Sequence, residues 1–155
     1  MSTAVLPSSK DVTEMVHGLL GVDVKEVPAP ETDIYSIAEF TNNAGEVVGY
    51  LACDLGTGCR LSAGLTMVPP GAAEDAISSG QITESLSQNL DEIFNICVNL
   101  IRGDSDQHVG LHEVIHGSAA ESFAARKDAI ESGDAQSFGF EIARYGVCKL
   151  IVSCC

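Results

Sequence analysis

Two short stretches of this sequence set reactive side chains at spacings that chemistry can use. The first is Asp91-Glu92-Ile93-Phe94-Asn95, in which a carboxylate and an amide stand three residues apart. On a helix, positions i and i+3 are neighbours on one face, so Glu92 and Asn95 project side by side. A carboxylate so placed pairs with a cation on a partner, and an amide orients a water. Neither is a strong base or nucleophile at neutral pH. The pair therefore suits hydrolysis of a bond that is already activated, such as an aspartyl phosphate, where in-line placement of water supplies much of the catalysis.

The second stretch is His112-Glu113-Val114-Ile115-His116. It matches H-E-x-x-H, in which two histidines one helical turn apart bind zinc beside a general-base Glu. That chemistry needs a helix and a third ligand, for which His108, Glu121 and Glu131 are available. Gly110 and Gly117 bracket the motif, however, and V-G-L-H-E-V-I-H alternates like a strand. In a strand Glu113 points away from both histidines. Strand histidines are the reading adopted, and no metal is assigned; a metalloprotease and a non-catalytic site from His108, His112 and His116 stand as alternatives.

The element that positions Glu92 and Asn95 is an amphipathic helix over 83–102. At about 100° per residue, Leu86, Leu90, Ile93, Cys97, Leu100 and Ile101 share a face, with Gln88, Glu92, Asn95 and Asn99 roughly opposite. Solvated faces normally favour Glu, Lys and Arg. A stripe of one Glu among three amides holds water and ligands with little charge, although an ordinary wet face is the plain alternative.

With 155 residues, 45% of them hydrophobic, the chain is expected to form one domain, 1–155. Eight basic against 22 acidic residues give a net charge of −14, which repels phosphate backbones and anionic membranes and argues against nucleic acid as a partner. No apolar run reaches the length of a membrane helix, and MSTAVLPSSKD lacks a basic start and an apolar stretch. A cytoplasmic protein is expected. The six cysteines, Cys53, Cys59, Cys97, Cys148, Cys154 and Cys155, form no C-x-x-C pair, and several sit in apolar runs, so buried reduced thiols are expected. Gly56-Thr57-Gly58 lacks the third glycine of a dinucleotide loop and reads as a tight turn.

Around these features the sequence predicts a helix over 8–20 stopped by Gly21, a short strand over 22–27, and a hairpin of 33–40 and 46–55 across Asn42 to Gly45. A helix over 59–67 must end before Pro69 and Pro70. Further pieces are a short helix at 72–78, a strand at 108–116, and a helix at 118–131 opened by a capping box of Ser118 with Glu121. A last hairpin turns at Tyr145-Gly146. Hairpins rather than strand-helix-strand repeats imply an α+β fold, its mainly antiparallel sheet packed against long amphipathic helices.

The stretch D-E-I-F-N-I resembles the motif helix of the CheC and CheX phosphatases, which dephosphorylate the chemotaxis response regulator CheY. In that family the helix carries E-x-x-N, with Ser or Asp four residues before the Glu. The layout is similar over most of the chain: an N-terminal amphipathic helix, a Gly-containing strand like V-V-G-Y-L-A-C-D-L, a helix, the motif helix, and a late S-F-G strand at Ser137, Phe138 and Gly139. A single motif copy resembles CheX more than CheC, since the first helix offers only Glu14 with His17.

The resemblance implies a homodimer joined through its sheets and a phosphorylated CheY-type receiver as partner. It implies that Glu92 binds the receiver-site lysine, that Asn95 places the attacking water, and that Gln88 and Asn99 touch the partner. Mg²⁺ would belong to the partner, with no cofactor held by this chain. Gln88 stands where the family has Ser or Asp, HEVIHG lies where the family has a proline, and the helix at 118–131 is additional. These differences carry the alternative of a non-catalytic adaptor that binds a receiver.

Overall fold

Ser8 opens the first helix, α1 (Ser9–Leu20), through a reciprocal capping box: Asp11 N donates to Ser8 Oγ at 3.1 Å and Ser8 N donates to Asp11 Oδ2 at 2.9 Å. Gly21, at φ 69°, ends it. The computed structural model describes residues 6–102, 108–117 and 121–154. It continues through β1 (Val24–Glu26), β2 (Ser36–Asn42), β3 (Val47–Cys53), α2 (Leu55–Leu65), α3 (Pro70–Ser79) and α4 (Glu84–Ile96). Then follow α5 (Val98–Arg102), β4 (Val109–His116), α6 (Glu121–Ser132), β5 (Asp134–Ile142) and β6 (Gly146–Cys154).

The strands form one sheet in the order β1-β5-β6-β3-β2-β4, and every pairing is antiparallel. This is the expected α+β class. The β2–β3 turn forms where its chemistry indicates, with Asn42 Oδ1 accepting from Ala44 N and Glu46 N, both at 3.0 Å, and Gly45 at φ 80°.

Alternation along the strands sorts the core into two layers. Phe40, Leu51, Phe138, Phe140, Leu150 and Val152 join Val12 and Val16 of α1 and Leu90, Ile93 and Phe94 of α4 on one face. Ile37, Tyr50, Ala52, Ile115 and Ile151 face the other way, where Phe123 and Ile130 of α6 cover them. A third, small-residue cluster of Cys59, Ala63, Ala73, Ala76 and Leu86 joins α2, α3 and α4. Among the described residues, no helix is long and apolar enough to cross a membrane.

Two expectations need correction. Gly56-Thr57-Gly58 is the first turn of α2, not a tight turn ahead of it. Thr57 Oγ1 donates to Asp54 Oδ1 and Gly58 N donates to Asp54 O, which starts the helix four residues early. A Cβ on Gly58 would stand 2.9 Å from Leu90 Cδ2, so the glycine serves close approach of α2 to α4. The expected single helix over 83–102 is broken at Cys97, where Leu100 N takes the Cys97 carbonyl at 2.9 Å in a tighter i+3 step. That step brings Ile101 onto the sheet at Gly49, whose missing side chain leaves the room: a Cβ there would meet Ile101 Cγ2 at 2.9 Å.

The S-F-G segment lies within strand β5, as expected. Gly139 lies beneath the chain leaving β1, where a Cβ would come within 2.4 Å of Val27 O and 2.5 Å of Ala29 N. This glycine is demanded by packing. The predicted capping residue Ser118 lies outside the described residues, while α6 itself follows from Glu121.

Candidate functional site on helix α4

Helix α4 is started by Thr83, whose Oγ1 accepts from Leu86 N at 3.2 Å. Leu86, Leu90, Ile93 and Phe94 are buried, and burial of such side chains contributes roughly 1.5–3 kcal/mol each. Phe94 belongs to neither the apolar face nor the polar stripe picked out by the sequence pattern. Its position four residues after Leu90 was the available signal, since i and i+4 stack on one side of a helix.

Polar clamps fix the helix beyond its apolar seam. Ile82 N donates to Tyr35 Oη at 3.3 Å just before the helix starts. On one flank Asn89 Nδ2 donates to Ser62 O at 3.3 Å and to Thr66 Oγ1 at 3.2 Å, tying α4 to α2. On the other flank His116 Nε2 donates to Asp91 Oδ1 at 2.8 Å, tying α4 to strand β4.

Between these clamps Gln88, Glu92 and Asn95 are exposed on one face of α4, as expected. Asn99 is exposed as well, but it stands on α5 beyond the break at Cys97. Ile96, 38% exposed, adds an apolar group beside them. The side chains of Glu92 and Asn95 have no hydrogen bond or ion pair to any other described residue. Chemically, the surface offers a carboxylate and an amide that no described residue engages, on a firmly seated helix.

The H-E-x-x-H residues are divided between the two sides of the sheet. Register along β2 and β4 pairs Glu39 with Glu113 but Phe40 with Leu111, so His112 is the extra residue of a β-bulge. The bulge turns His112 and Glu113 to the same face, which corrects the expectation that Glu113 points away from both histidines. There His112 Nε2 lies 4.0 Å from Glu39 Oε1, and Arg126 Nη2 of α6 lies 3.6 Å from Glu113 Oε2. Arg126 Nε is 3.1 Å from Glu39 Oε2, close as a charge pair although off the N–H direction.

His116 points through to the α4 face, so the two histidines cannot share a metal. Among the described residues no group of three His, Cys, Asp or Glu side chains is placed to hold one, and His108 is exposed outside β4.

The four core thiols offer no reactive group either. Among the described residues, Cys53, Cys59, Cys97 and Cys148 are buried and form no disulfide. Burial pushes Cys97 and Cys148 up to about 12 and Cys59 up to about 11, and it raises Cys53 well above the ordinary thiol range. Such thiols stay protonated and inert at neutral pH.

No family model and no curated protein matches this sequence. Solved structures do match. The FliM middle domain from H. pylori is similar with a TM-score of 0.58 at 8% identity, over 94% of this chain and 84% of that one. CheX from Vibrio vulnificus gives 0.53 at 11% identity, over 93% of this chain and 91% of that one. The CheX-CheY-BeF3-Mg²⁺ complex from Borrelia burgdorferi gives 0.53 at 12% identity, over 94% of both chains. The fold is that of CheX and the FliM middle domain. At these identities the likeness is one of backbone path, and the side chains on helix α4 are this chain's own.

Proposed function

We propose that this chain is a CheX-like protein of chemotaxis or two-component signalling that engages a phosphorylated CheY-type receiver and hastens loss of its aspartyl phosphate. The observation that carries the reading is the pair Glu92 and Asn95, exposed side by side on α4 and unpaired among the described residues. The fold shared with a CheX seen in complex with CheY supports it.

In this reading Glu92 pairs with the receiver-site lysine and so sets the depth of α4 in the partner's pocket. The Asn95 side-chain carbonyl accepts a hydrogen bond from a water and holds its oxygen in line with the acyl phosphate. The water oxygen bonds to phosphorus, the bond from phosphorus to the aspartyl oxygen breaks, and the products are inorganic phosphate and the free carboxylate. Mg²⁺ is the partner's. Gln88 and Asn99 lie where they would flank the contact. In the homodimer that belongs to this reading, the outer strands β1 and β4 are the accessible sheet edges, because α6 occupies the second sheet face.

The test is the decay of a phosphorylated cognate receiver. Wild-type protein should shorten its lifetime, and Asn95→Ala should remove the effect, by roughly a hundredfold in kcat, while leaving the fold and receiver binding intact. A second reading, a non-catalytic adaptor, is favoured by Gln88 at the stripe position where the resemblance calls for Ser or Asp. It requires receiver binding with unchanged decay, and that result would reject catalysis.

A further inference from the structure

Asp91 and Asn95 are four residues apart on α4, so they are surface neighbours, roughly 40° apart around the axis. A carboxylate and a primary amide at that spacing readily hydrogen-bond to each other on an isolated helix. Here they do not. Asp91 Oδ1 accepts instead from His116 Nε2 at 2.8 Å, and the Asn95 amide has no partner among the described residues.

The histidine is itself held. Its Nδ1 lies 2.8 Å from Ser36 Oγ, and Ser36 is only 1% exposed. A carboxylate oxygen only accepts, so Nε2 carries the proton toward Asp91; in the neutral ring Nδ1 then accepts from the Ser36 hydroxyl. Ser36 pairs with His116 across β2 and β4, which makes this a preset feature of the sheet edge. The Ser-His-Asp chain is no nucleophile triad, because the serine is sealed from substrate.

We infer that His116 is a positioning residue for Asn95: by drawing the Asp91 carboxylate toward the sheet, it keeps the Asn95 amide free to hold water. This rests on the proposed phosphatase reading for its catalytic consequence, but its structural core does not. Without His116, Asp91 turns to its i+4 neighbour and captures Asn95 Nδ2, which swings the amide carbonyl off its aim. The helix stays seated, since Leu90, Ile93 and Phe94 are untouched.

The experiment compares His116→Leu, His116→Gln, Asp91→Ala and the double variant Asp91→Ala/His116→Leu. It reads receiver-phosphate decay together with the side-chain amide signal of Asn95 in ¹⁵N-labelled protein. His116→Leu should lower kcat about tenfold with KM little changed and should shift the Asn95 amide signal. Glutamine restores a donor near the Nε2 position and should recover most of both.

The double variant decides. With no carboxylate left to capture Asn95, it should regain near wild-type kcat and an unshifted Asn95 signal, a rescue that a merely structural histidine would not give. A double variant as impaired as His116→Leu, or an Asn95 signal indifferent to His116→Leu, overturns the inference. If wild-type protein fails to speed decay, the proposed function falls, and the Asn95 signal still decides the positioning role.

Discussion

Helices α4 and α6 lie on opposite faces of one sheet and are held there by different means. Helix α4 inserts four large apolar side chains, Leu86, Leu90, Ile93 and Phe94, and its clamps are neutral or charge-assisted hydrogen bonds. Helix α6 buries only Phe123 and Ile130 and is fixed by Arg126 over the nearly buried Glu39, with Glu113 alongside. Apolar burial is not subject to charge screening, whereas a charge cluster depends on every partner staying in place. The difference teaches that the face carrying Glu92 and Asn95 is the rigid one, and that α6 is the element a small change would loosen.

The largest test of that contrast is Phe94→Ala. It empties a fully buried position against the main core and should cost about 3–5 kcal/mol, seen as a lower urea midpoint for the whole molecule; a shift confined to α4 amides would break the comparison. Next comes Arg126→Met, which keeps the apolar stem but leaves Glu39 nearly buried without its cation. Its cost should be about 3 kcal/mol, the low end for a buried pair because Arg126 retains some contact with water. Hydrogen exchange should accelerate in α6 and stay unchanged in α4; equal acceleration in both would show that α6 is not a separate unit.

The smallest effect per step is a pH response carried by one face alone. Cys53, Cys97 and Cys148 belong to the core beneath α4, and the α6 cluster contains no thiol. Their folded values are raised by burial, so their contribution is complete below the unfolded thiol value near about 8.5 and erodes as pH climbs toward the folded values. Stability should therefore fall above about pH 9, by about 1.4 kcal/mol per pH unit per thiol. Replacing Cys97 with Ala should reduce the slope by one such increment in urea melts at pH 9 to 10.

Much of this was legible in the residues because local chemistry and tertiary demand agree. Ser8, Asp11 and Gly21 bound α1 as capping rules require, and Asn42 closes the β2–β3 turn. The polar stripe of α4 was readable because a 3.6-residue period is imposed by the backbone itself. What escaped was set by contacts between distant segments. Gly58 and Gly49 are small because Leu90 and Ile101 come close, which no local pattern announces. The break at Cys97 contains no Gly or Pro, so nothing nearby in sequence marks it. The role of His116 depends on a serine 80 positions away, and strict strand alternation put His112 and His116 on one face because the bulge at His112 is a property of pairing with β2.

That bulge has an evolutionary corollary. His112 is the one position in the middle of β4 whose loss would leave every other side chain of the strand on its present side, because its neighbours Leu111 and Glu113 already pair with consecutive residues of β2. An insertion or deletion anywhere else between Leu111 and His116 would transpose the remainder and turn His116 away from α4. Length variation among relatives of this chain should therefore collect at this single site, with the histidine spacing of the motif drifting freely while the distance from Glu113 to His116 stays constant.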